Sequence, residues 1–82
     1  MKEMLTYLVR SLVTHPEEVV VTEKKGEEDV YVFSLRVHPD DMGRVIGRNG
    51  RTARALRQMM SAKGALSNVK TQVDIEENGE EQ

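Results

Sequence analysis

Two glycines set three apart, in Val45-Ile46-Gly47-Arg48-Asn49-Gly50-Arg51, interrupt what otherwise reads as one helical stretch. Glycine costs about 1 kcal/mol in a helix interior, and a pair of them lets the chain reverse tightly without Cβ clashes. The chain must therefore hold two helices that meet at a short loop. Strand-like runs at 30–38 and 69–76 bracket that pair. In 82 residues there is room for one domain only. A helix pair and flanking strands thus have to share one small core, which buries roughly 60% of the surface the unfolded chain would expose.

The periodicities give the rest of the architecture. Met4, Leu5, Leu8, Val9, Leu12 and Val13 fall on one face of a helix. His15-Pro16 should end it, because the residue before a proline is pushed out of the helical region. Val19-Val20-Val21-Thr22 reads as a strand, and the polar run 24–29 around Gly26 as a turn. Residues 30–38 form a second strand, with Tyr31, Phe33, Leu35 and Val37 on its apolar face. The short turn makes the two strands an antiparallel hairpin. Pro39-Asp40-Asp41 is a helix start, with acids suited to the dipole, and Met42, Val45 and Ile46 supply the contacts of a short helix. Residues 51–63 form the next helix, with Ala53, Leu56 and Met60 on one stripe and Arg51, Arg54, Arg57 and Gln58 in the opposite sector. Lys63-Gly64 should close it. Val69, Thr71, Val73 and Ile75 then alternate as a third strand. The expectation is an α+β domain of order αββααβ, with three helices on one face of a three-stranded sheet.

The charge is unevenly distributed. Residues 1–41 carry a balance of −4 and residues 74–82 one of −5, while residues 42–73 hold seven cations and no carboxylate. A 32-residue basic segment inside a chain of net charge −2 is a local field and a candidate anion site. It surrounds the glycine loop. That loop lets a sugar-phosphate backbone approach the main chain, and it opens into a helix whose first amides lack helical partners. Arg48 and Arg51 add mobile charge. These are the parts of a phosphate clamp.

Rival motifs fit less well. The spacing GxxxxGK[ST] would need glycine at position 45, which is Val45, and lysine where Arg51 stands. A helix-turn-helix has the same helix, glycine turn and helix, but the bracketing strands would be surplus to it.

Strand, helix, Ile46-Gly47-Arg48-Asn49-Gly50-Arg51, helix and strand together resemble the core of a KH domain, whose GXXG loop clamps about four nucleotides of single strand. An extra helix and strand precede that core, which is similar to the bacterial type II arrangement. The stretch from His38 through Pro39-Asp40-Asp41-Met42-Gly43-Arg44 to Ala53 is similar to the small stand-alone bacterial KH proteins of the KhpA family. The resemblance implies a type II KH domain over 1–77 with a mixed sheet, its last strand parallel to one neighbour. Residues 78–82 would be a disordered acidic tail. It also implies cytoplasmic binding of single-stranded RNA with little sequence selectivity, in post-transcriptional regulation or as an RNA chaperone. The alternative is a protein-interaction module. Partners would be a second copy, as a homodimer, or a larger KH protein of the Jag/KhpB type. The residues expected to touch RNA are Gly47, Arg48, Asn49, Gly50 and Arg51, with Ile46, Arg44 and Arg54. Where family members often carry lysine, this protein has Arg48, which keeps the charge; Asn49 leaves the loop with one cation.

Other chemistries find no footing. With no cysteine there is no disulfide framework and no thiolate metal site. His15 and His38 are 23 positions apart without an HxxxH pairing, and both read as element-end residues; no metal or cofactor is expected. Asp40 and Asp41 read as helix-start residues rather than a catalytic pair. No serine stands in a nucleophile motif, so no enzyme and no small-molecule substrate are expected. Met42, Val45, Ile46 and Met60 could line an apolar groove; Val45 and Met60 read as core, and Ile46 stands between core and groove. No apolar run nears the ~20 residues of a membrane span, and the first residues lack a signal-peptide pattern, so the expected location is the cytoplasm.

Overall fold

The computed structural model describes residues 1–76. The end of the domain at residue 77 and the acidic tail at 78–82 lie outside them. The element order is α1 (Lys2–Arg10), β1 (Val20–Lys25), β2 (Val30–Arg36), α2 (Met42–Ile46), α3 (Arg51–Leu66) and β3 (Lys70–Ile75). Single 3₁₀ turns at Pro16–Glu18, Pro39–Asp41 and Arg48–Gly50 precede β1, α2 and α3.

The sheet has the order β1-β2-β3. β1 pairs antiparallel with β2, with Val21 opposite Leu35 and Glu23 opposite Phe33. β3 pairs parallel with β2, with Val73 also opposite Phe33. The sheet is therefore mixed, and Phe33 lies at the centre of its middle strand. Val21, Phe33, Leu35 and Val73 alternate onto one face and are buried. Leu5 and Val9 of α1, Val45 of α2, and Leu56 and Met60 of α3 complete the same cluster. On the other face Thr22, Lys24, Arg36, Gln72 and Asp74 are exposed. One covered and one wet face is what the alternating pattern requires of an antiparallel pair.

Four element boundaries differ from the sequence expectation by two residues or more. α1 stops at Arg10, five residues before His15, and Leu12 is 39% exposed. The chain leaves the helix because the amides of Thr14 and His15 donate to Asp41, at 2.9 and 3.0 Å. β1 runs on to Lys25, so the turn is shorter, with Glu28 and Asp29 at positive φ. β2 ends at Arg36 rather than at residue 38. α3 continues through Gly64 to Leu66. Gly64 is buried against β3: a Cβ there would stand 2.8 Å from both Thr71 Cγ2 and the Val69 carbonyl oxygen. Its role is close approach, not termination.

Asp41 is the one buried charged side chain among the described residues. It starts α2 but makes no capping bond to that helix. Its carboxylate accepts instead from Thr14 N and Oγ1 and from His15 N and Nδ1, at 2.8 to 3.1 Å. Asp41 thus stands at the helix start that the sequence predicts, and it also ties the α1–β1 connection to the start of α2. Burial pushes its pKa up, but the four hydrogen bonds outweigh this and hold the carboxyl well below the usual carboxylate range. A depressed folded pKa gives stability that is present above the unfolded value of about 3.9 and is lost as pH falls toward the folded one. Melting temperatures of the wild type and of Asp41→Asn should therefore differ most near neutrality and converge as pH drops below about 4. A gap that stays constant well below that pH would contradict this role.

Candidate nucleic-acid interface

The GXXG turn is built by its backbone. Gly47 has φ +77°, and a Cβ there would run into Thr52, with Thr52 Cβ at 2.7 Å. Asn49 and Gly50 follow at φ 56° and 74°, in the left-handed region. Asparagine is among the few side-chain-bearing residues that enter it readily. The Gly50 amide donates to the Gly47 carbonyl at 3.1 Å, and the Arg51 amide to that of Arg48. These two amides at the head of α3 are thus engaged within the loop, contrary to the expectation of open donors. Any anion there would rest chiefly on side chains.

Those side chains are available. Arg48, Asn49, Arg51 and Arg54 are exposed. Among the described residues, Arg48, Arg51, Arg54 and Arg57 enter no ion pair. Arg44 differs, because its Nε lies 3.7 Å from Asp41 Oδ1 while the side chain stays 58% exposed. The field of this face comes from arginines that no carboxylate among the described residues neutralises.

Beside the loop is a groove of about 600 Å³. Pro39, Met42 and Ile46 form one wall, Gly50, Ala53 and Arg57 the other, and Ile75 closes the β3 side. Ile46 is 39% exposed and belongs to this wall, whereas Val45 and Met60 are fully buried core. The groove's apolar side chains share the lining with polar backbone and one cation, Arg57. Arg57 Nε donates to the Val73 carbonyl at 3.1 Å, which fixes the guanidinium while leaving its terminal nitrogens without a carboxylate among the described residues. The helical sector alone read Arg57 as solvent-facing. Only the approach of β3 to α3 turns it into a groove residue.

The histidines stand at element ends, as the sequence suggests, at the N-caps of the turns Pro16–Glu18 and Pro39–Asp41. The His15 and His38 rings stack at 3.9 Å between centroids with 9° between planes. His38 Nδ1 accepts from the Asp40 amide at 3.0 Å. One donor atom from each of His15, His38 and Asp40 lies within 4.8 Å of the others. The in-plane lone pairs of two parallel stacked rings do not converge on one point, so this arrangement does not form a ready metal site.

A mixed three-stranded sheet covered by three helices, with a GXXG turn joining two of them beside an apolar groove, defines a KH domain of the αββααβ arrangement. The family model described as "KhpA/KhpB, KH domain" matches residues 2–75. The protein is 45% identical over 75 residues to the RNA-binding protein KhpA of Oceanobacillus iheyensis, covering 92% of this sequence and 99% of that one. It is 48% identical over 64 residues to that of Streptomyces coelicolor, covering 78% and 80%. With that of Treponema pallidum the identity is 42% over 74 residues, covering 90% and 91%. The chain belongs to the KhpA/KhpB family of KH domains. Among the described residues, no helix is long and apolar enough to cross a membrane.

Proposed function

We propose that this protein binds RNA, as its relatives' names state for them, and that it takes single strands by clamping phosphates at the GXXG turn while bases enter the adjoining groove. The observation that carries the reading is the set of unpaired arginines around an exposed, backbone-determined turn that opens onto an apolar groove. Arg48 and Arg51 hold phosphates through charge-assisted hydrogen bonds. Arg44 and Arg54 extend the positive track. Gly47 and Gly50 keep the turn in shape, and Asn49 adds a neutral polar contact. Ile46 and Met42 offer apolar surface to a base, and methionine adapts to different bases. Arg57 lies where a base edge would meet it. Phosphate contacts position a strand without reading it, so selectivity is slight. Such binding suits post-transcriptional regulation or RNA chaperoning in the cytoplasm, and it asks for no catalytic group.

Electrostatic binding of this kind has a salt signature. With about two to four phosphate contacts, log K against log [salt] should have a slope of about −1.4 to −2.8 for a single strand. Anisotropy titrations of labelled oligonucleotides of several compositions, at rising salt, measure it. A slope near zero, or a strong preference for one sequence at every salt, would place the binding energy in the groove instead.

A second reading, pairing with another KH protein, is favoured by the outer side of α3. Ala55, Met59, Ala62 and Leu66 recur there at helical spacing, and Met59 is 46% and Leu66 85% exposed. Small residues alternating with large ones suit close helix packing. A second copy, or a larger KH protein of the Jag/KhpB type, would bury this stripe and double the RNA contacts through avidity. Light scattering of the purified protein should then give a dimer mass without RNA; a monomer at all concentrations would remove self-pairing.

A further inference from the structure

Asn49 is one of three asparagines, and its neighbour is a glycine. Asn49 is exposed, and nothing lies within 4 Å of where a Gly50 Cβ would stand. Glycine itself carries no side chain that would screen its nitrogen from the Asn49 carboxamide. That nitrogen also lies at the amino end of α3, between Arg48 and Arg51. The helix dipole and two guanidinium groups favour its anionic, nucleophilic form. Asn68 offers an internal contrast. Its following amide is held, by the Gly64 carbonyl at 2.9 Å, much as that of Gly50 is by Gly47, but it belongs to β-branched Val69, whose side chain crowds the attack that glycine leaves open.

We propose that Asn49-Gly50 is a self-modification site, and that its conversion switches the phosphate clamp off; the second half rests on the RNA-binding reading above. The Gly50 nitrogen gives up its proton to solvent and forms a bond to Asn49 Cγ. The bond between Asn49 Cγ and Nδ2 breaks, ammonia leaves, and a five-membered succinimide results. Water adds to either ring carbonyl and opens the ring to aspartate or isoaspartate. One water enters, one ammonia departs, and nothing is oxidised or reduced. The product carries a carboxylate between Arg48 and Arg51, where it competes with phosphate for both. The native loop slows the reaction, because Asn49 has ψ 26° and the Gly50 amide donates to Gly47 at 3.1 Å. Ring closure requires that turn to open.

The test uses the full-length protein carrying Asn78→Ala, which removes the second Asn-Gly pair of the sequence. The protein is aged in mildly alkaline buffer and followed by intact mass, with fragment ions locating the change. Conversion at Asn49 should outrun that at Asn68 by about tenfold or more, a barrier difference of about 1.4 kcal/mol. The converted fraction, separated by charge, should bind oligouridine at least about tenfold more weakly than fresh protein, since it loses charge-assisted bonds to phosphate. Equal rates at the two asparagines would overturn the site. A converted fraction that binds like fresh protein would overturn the switch. Arg48→Asp/Asn49→Asp then tells the failures apart: if that variant still loses RNA, the inference alone falls, and if it binds normally, the RNA-binding reading has fallen as well.

Discussion

Arg48→Asp combined with Asn49→Asp should leave a folded domain that binds RNA at least about tenfold more weakly, a loss of about 1.4 kcal/mol. Both side groups are exposed and neither enters the core cluster. Aspartate tolerates the left-handed backbone of position 49 much as asparagine does. The change removes one guanidinium and adds two carboxylates where phosphates would lie. Each lost hydrogen bond to a charged group is worth about 1.5–3 kcal/mol, so tenfold is a lower bound. Circular dichroism and melting should match the wild type while the anisotropy titration shifts. A well-folded variant with unchanged RNA affinity would remove the clamp from the loop.

Phe33→Ala should have the largest effect on the fold. Phe33 has no exposed surface and stands on the middle strand between Glu23 and Val73. It shares one core cluster with Leu5 and Val9 of α1 and Leu56 and Met60 of α3. Truncating a buried phenylalanine costs about 3–5 kcal/mol. Small domains lie at the low end of the usual range of about 5–15 kcal/mol of total stability, so a large share of the variant should be unfolded before denaturant is added. Urea unfolding followed by circular dichroism measures this. A loss below about 1 kcal/mol would mean that the core is not organised around this strand.

Period and composition control the features that are legible in the sequence. The alternation Tyr31, Phe33, Leu35, Val37 marks the covered face of the sheet, and Ala53, Leu56, Met60 mark the buried stripe of α3. The glycine spacing marks the turn between the helices. The features that the sequence hides depend on partners distant along it. Periodicity alone carries α1 to Pro16, but hydrogen bonds from residues 14 and 15 to Asp41 draw the backbone away sooner. Gly64 resembles a terminator because glycine so often is one; the Val69 carbonyl and the Thr71 methyl packed against it give it another purpose. Arg57 lies in an exposed helical sector, and only the Val73 carbonyl of β3 brings it to the groove. His15 and His38 look unrelated by position, yet the same Asp41 anchor holds one ring against the other. The first helix amides are open in a generic helix, but the 3₁₀ turn of Arg48–Gly50 uses two of them.

Where RNA touches this domain is tested most directly by amide chemical shifts of the labelled protein, followed while a short single-stranded RNA is added. The account predicts that the largest changes cluster at residues 46–51, with further changes at Arg44, Arg54 and Arg57 around the groove. The exposed sheet face at Thr22, Gln72 and Asp74 should stay unmoved. Shifts concentrated on that face, with residues 46–51 unchanged at saturation, would contradict it.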